Sequence, residues 1–136
     1  MDNIADHYGE KLNEAFVAAC MKTVFDRHGI APKFAMIALD ESGNAAAYTL
    51  YVEFTSKLPD TLGPDLDMEL RRNPHYDLCV RLGQLRPVQV FTVATRAYET
   101  YSQVLVKRGM RLGDIKPTVL SRLTDWSGHF ARCDNG

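Results

Sequence analysis

The sequence predicts an α+β domain of two layers, a small three-stranded sheet with helices packed on it, in the order α-β-β-α-β-α. Three observations carry this expectation. A capped stripe of apolar residues at helical spacing stands near the start of the chain. Two strand-length apolar runs flank a four-residue turn. A breaker-rich link and a helical pattern then separate that hairpin from a third strand-length run.

The first helix is expected from about Glu14 to His28. Asn13 can accept a first-turn N–H as N-cap, and Gly29 can close the helix in the left-handed conformation. Phe16, Ala19, Cys20, Met21, Val24 and Phe25 supply its apolar stripe, and Pro32 ends the unit. "KFAMIALDE" has strand length, "ESGN" is rich in turn formers, and "AAAYTLYVEF" alternates. Tyr48, Leu50, Val52 and Phe54 fall on one face of that strand, and Thr49, Tyr51 and Glu53 on the other.

After the connection "TSKLPDTLGPD", a helix is expected from about Leu66 to Leu82, with Leu66, Leu70, Leu78 and Leu82 among its apolar positions. Pro74 removes a backbone donor and Asn73 can cap a new turn, so this reads as two helical pieces or one kinked helix. "PVQVFTVA" is the third strand, and "RAYETYSQVLVKRG" a third helix ending at Gly109. The tail holds a short apolar cluster, Val119, Leu120 and Leu123, and then Trp126 and Phe130. No internal repeat or low-complexity segment interrupts the chain.

Composition narrows the function classes. A chain of 136 residues, 46% apolar and 24% charged, fits one soluble globular domain spanning residues 1–136. Acids and bases are interspersed to a net charge of −1, which gives no footprint for nucleic acid or an anionic membrane. No apolar stretch approaches the roughly 18 residues of a bilayer span. The start, "MDNIADHYGEKLNE", has neither the basic head nor the apolar centre of a signal peptide, so a cytoplasmic location is expected. Three widely spaced cysteines suit free thiols and no metal site: Cys20 and Cys79 as small core residues, Cys133 exposed in the tail.

Catalytic constellations are sparse. There is no glycine-rich phosphate loop and no GxSxG, and His7, His28, His75 and His129 are scattered. Asp65, Asp67 and Glu69 form an acidic run at a helix start, where the helix dipole accounts for them without a metal. Tyr48, Tyr51, Tyr98 and Tyr101 suit packing better than a pocket. Two polar segments are left, "HYGEKLNEAFV" before the first helix and "RLGDIKPTVLS" around Lys116. By composition both are ordinary loops, with Glu10 and Lys11 as charges at a helix start and Lys116 as a solvated lysine.

Taken together, "DNIADHYGEKLNEAFV", "AAYTLYVEF", "NPHYDLCVRLGQLRPVQVF" and "GMRLGDIKPTVLSRLTDW" resemble, in collinear order, the C-terminal part of the Gretchen Hagen family. These are the acyl acid amido synthetases of plant auxin and jasmonate conjugation, with bacterial homologues, in the adenylate-forming superfamily of firefly luciferase and acyl-CoA synthetases. The likeness covers nearly the whole chain and is sharpest at "GEKLNE" and "LGDIKP". The bacterial branch is the nearer, since the plant enzymes have a similar "YK.P" segment where this chain has "DIKP".

The resemblance implies a mobile C-terminal lid, hinged to a larger N-terminal adenylation domain that would bind most of the ATP and Mg²⁺ and hold the acyl pocket. Residues 1–12 would follow the hinge, Met1 would be an added start, and the chain would be an excised domain or a stand-alone remnant. No cofactor is expected in the isolated chain, which would be inactive alone. The implied partners are that N-terminal domain, a small carboxylic acid and an amine. Lys116 stands where related synthetases bring a catalytic lysine into the first half-reaction, although "DIKPT" lacks the glycine-rich setting usual around it. Gly9, Glu10 and Lys11 would form the loop facing the acceptor in the second. Two other readings stay open: a free-standing binding or self-association module derived from such a domain, and the lid of an acyl-CoA ligase.

Overall fold

The computed structural model describes residues 3–41 and 43–133. Its first long element begins where the sequence places an N-cap. The Asn13 side-chain oxygen accepts the Phe16 N–H at 2.8 Å, and helix α1 runs Glu14–His28. Gly29, at φ +65°, turns the chain out of the helix in a conformation that a side chain disfavours. Ahead of it, β1 (Ile4–Ala5) and β2 (Leu12–Asn13) pair as a short antiparallel ribbon.

The hairpin forms as the alternation requires. β3 (Phe34–Asp40) and β4 (Ala46–Glu53) pair antiparallel, with Ile37 opposite Leu50. The expected second helix splits at Asn73-Pro74 into α2 (Leu62–Leu70) and α3 (Pro74–Arg81), and the Asn73 side chain caps α3 through the His75 N–H at 2.8 Å. β5 (Leu85–Thr92) then lies parallel to β4, and α4 (Ala97–Lys107) follows.

The α+β class and the order of the main elements stand, while the sheet is larger than three strands. β6 (Leu120–Ser121) adds parallel to β3 at Ile37 and Ala38, giving the order β5-β4-β3-β6. A two-residue strand has no periodicity of its own, so only its partner defines it.

Nor are there only two layers. Tyr48, Leu50 and Val52 pack with α1, α2 and α3 on one face of the sheet. Met36, Tyr51 and Phe91 pack on the other with Tyr101 and Val104 of α4 and with Ile115, Trp126 and Phe130 of the tail. β4 is therefore buried along both faces from Ala46 to Val52. The apolar tail makes the difference: burying large side chains such as Trp126, 0% exposed, contributes about 1.5–3 kcal/mol each.

Three local expectations change with the packing. Leu78 and Leu82 are 46% and 63% exposed, because α3 is short and its inward face is made by Tyr76 and Cys79. α2 starts earlier than Leu66, with Gly63 in its first turn, where an added Cβ would lie 3.2 Å from Val90 of β5. Asp67 therefore sits beyond the first turn and is buried. It accepts the Tyr76 hydroxyl at 2.6 Å and the Val88 N–H at 3.1 Å, joining α2 to α3 and β5. Asp65 does stand in the first turn, paired with His28 Nε2 at 2.7 Å.

Candidate functional site

The loop between β1 and β2 folds around a carboxylate. Glu10 is 0% exposed and receives the His7 N–H at 2.9 Å, the Tyr8 N–H at 2.6 Å and the Tyr48 hydroxyl at 2.5 Å. Gly9, at φ +91°, makes the turn that brings those two N–H groups onto one side chain. Three donors offset the cost of burying a charge. Burial, and then the bond to Glu10, push the Tyr48 hydroxyl pKa well up, so it stays a donor at any physiological pH. Asn73 donates to the carbonyls of Glu10 and Lys11, each at 3.1 Å, and the Cys79 thiol to that of Tyr8 at 3.3 Å. Lys11 adopts φ +49° and is exposed, as is Gly9.

The second loop is built the other way. Lys116 is exposed and, among the described residues, makes no ion pair, with Asp114 or any other. Its backbone is held on both sides. Tyr101 donates its hydroxyl to the Lys116 carbonyl at 3.1 Å, and Ile115 is buried in the second core. Two residues on, Thr118 and Val119 bond to Glu14 at the start of α1. Pro117 fixes φ between these anchors. A groove of about 460 Å³, lined by Glu14, Lys33, Phe34, Tyr98, Pro117 and Thr118, opens beside the loop.

Among the described residues no hydrogen bond or ion pair joins Lys116 to Gly9, Glu10 or Lys11: the first loop is attached to the α2–α3 joint, the second to α1 and α4. Among the described residues no group of three or more His, Cys, Asp or Glu is arranged to hold a metal ion. No helix there is long and apolar enough to cross a membrane. Cys20 and Cys79 are buried and Cys133 partly so. Burial pushes the Cys20 thiol up to about 11, which leaves it inert. What the described residues offer chemically is thus an exposed lysine side chain on an anchored backbone. What sequence reasoning missed is the anchoring role of Asn3, Glu14, Asn73 and Tyr101. Glu14 carried only the signal of a first-turn acid, because its partners lie 104 and 105 positions away.

Comparison with known proteins gives this arrangement a family. Twenty-one chains of solved structure match. A GH3.15 acyl acid amido synthetase is 12% identical with a TM-score of 0.67, over 91% of this chain and 24% of that one. The AtGH3.15 acyl acid amido synthetase in complex with 2,4-DB is 12% identical with a TM-score of 0.65, over 94% and 26%. Identities this low establish a shared fold, and the chain spans about a quarter of the length of those structures. A search of curated protein sequences returned no match. The family model described as the GH3 family C-terminal domain matches residues 10–125, which takes in Glu10, Lys11 and Lys116, and the chain therefore belongs to the GH3 family as a C-terminal domain.

Proposed function

We propose that this domain is the mobile lid of an ATP-dependent acyl acid–amine ligase and that Lys116 acts in its first half-reaction. The carrying observation is the exposed ammonium of Lys116, without an ion pair among the described residues, on a backbone held at Tyr101 and Glu14. The fold shared with acyl acid amido synthetases supports it.

In that reaction a carboxylate oxygen attacks the α-phosphorus of ATP, and pyrophosphate leaves with the electron pair of the broken P–O bond. Two anions approach each other, and a compact cation on a flexible stem offsets the charge gathering between them. An amine then attacks the acyl-adenylate carbonyl, loses a proton, and AMP leaves. Rotation of the lid withdraws Lys116 between the two steps. Gly9 and Lys11 then face the acceptor, with Glu10 holding the loop from within. ATP and Mg²⁺ are assigned mainly to the N-terminal adenylation domain, as the family resemblance implies.

The test is pyrophosphate release. The isolated chain with acid, amino acid and ATP is expected to give none. Joined to its adenylation domain it is expected to turn over, and Lys116→Ala to slow adenylate formation more than tenfold. An unchanged adenylation rate in that variant ends the assignment of Lys116, and turnover by the isolated chain ends the division of labour.

A further inference from the structure

We propose that Glu14 is a positioning residue for the Lys116 loop, clamping it through both carboxylate oxygens to the segment that opens the chain; the catalytic half of this inference rests on the role given to Lys116 above. Glu14 Oε2 accepts the Thr118 hydroxyl at 2.5 Å and the Val119 N–H at 3.0 Å. Oε1 accepts the Asn3 side-chain amide at 3.2 Å. The same amide reaches the Leu120 carbonyl at 2.7 Å, and the Glu14 N–H donates to the Asn3 carbonyl at 2.8 Å.

One side chain therefore joins three segments: the start of the chain, the first turn of α1, and the stretch leading from Lys116 into β6. Thr118 completes the joint. It donates its proton to Glu14 and accepts the Leu120 N–H at 3.2 Å, so its hydroxyl is spent locally. The Ile37 N–H takes the Val119 carbonyl at 2.8 Å, which ties the same residues to the sheet edge. Between this joint and the Tyr101 bond to the Lys116 carbonyl lies only Pro117, whose ring removes a backbone torsion. The carbonyl side of Lys116 is thus held by Tyr101 and this joint and its other side by buried Ile115, while its side chain is exposed and makes no ion pair among the described residues. Charge-assisted bonds of this kind are about twice as strong as neutral ones.

Glu14 also stands in the first turn of α1, where any carboxylate favours the helix dipole. That role needs a negative charge near the helix end and nothing more. It does not need both oxygens bound to residues 3, 118 and 119. Reach separates the two roles. Glu14→Asp keeps the charge at the helix start and shortens the side chain by one methylene.

The decisive experiment combines amide hydrogen exchange on the chain with half-reaction kinetics on the ligase that carries it. In Glu14→Asp, exchange at Val119 and Leu120 is expected to speed at least tenfold, with the hairpin amides of β3 and β4 unchanged. Thr118→Val, which breaks the bond from the other end, is expected to match it, and Glu14→Gln to fall between. Adenylate formation is expected to drop about tenfold in Glu14→Asp, while amine transfer from preformed acyl-adenylate keeps its rate. General unfolding lowers both half-reactions together, and that result overturns the proposal. So does unchanged exchange at Val119 in Glu14→Asp and Thr118→Val. If Lys116→Ala leaves adenylation intact while the loop is still released in Glu14→Asp, the role of Lys116 fails and the clamp stands as a structural joint.

Discussion

The loop at Gly9–Lys11 and the loop at Lys116 read alike in the sequence, each a charged stretch with a glycine beside a helix, and the fold treats them in opposite ways. In the first, the charge is the centre. Glu10 is sealed from solvent and three donors converge on it. In the second, the charge is left outside and only the backbone is held. A buried charge with its partners in place stabilises one geometry, and losing a partner is costly. An exposed, unpaired charge contributes almost nothing to folding and is free to act on something else. The difference marks Glu10 as architecture, and it leaves the Lys116 side chain available for the role proposed for it above.

The contrast can be broken by measurement. The largest effect is expected at Trp126→Ala, about 3–5 kcal/mol in urea unfolding, because the indole stacks on Tyr101 and Phe130 and holds up the Lys116 side of the fold. Next comes Glu10→Ala, which strands Tyr48 and two N–H groups and is expected to cost about 3 kcal/mol. A cost under about 1 kcal/mol there removes the distinction between the loops.

A smaller effect is expected with acid. Burial raises the Glu14 carboxyl, but the bonds from Thr118, Val119 and Asn3 outweigh it and hold the carboxyl below its ordinary 4.5. A lowered folded value means stability that is complete above about pH 4.5 and lost as pH falls through the folded value. Stability should therefore drop below about pH 4.5, and less steeply in Glu14→Gln. The remaining slope belongs to groups such as Asp77, lowered by Arg71, and Asp125, where His129 and Arg108 outweigh burial. The smallest change sharpens the comparison most. Lys116→Ala should leave unfolding within about 0.5 kcal/mol of the parent chain, and a larger loss means the lysine has a structural partner.

Much of this protein was legible in its residues taken a few at a time. Asn13 and Gly29 bound α1, Asn73-Pro74 splits α2 from α3, and the alternation around "ESGN" makes the hairpin, since caps, turns and pleat periodicity act over a few neighbours. The likeness that singled out Lys116 was also in the string, and the family match covers the same stretch. Other features depended on distance along the chain. Tyr51 falls on the face of β4 opposite Tyr48, Leu50 and Val52, and what buries it there is a tail many residues later that folds over it. β6 exists only beside β3, and Asp67 left its expected place at a helix start to join three elements. In the string, Glu10 is a charge just ahead of a helix and Glu14 that helix's first residue, four positions apart. Only the tertiary structure buried one under Tyr48 and handed the other to Thr118 and Val119, because what a carboxylate does is set by the donors that packing brings to it.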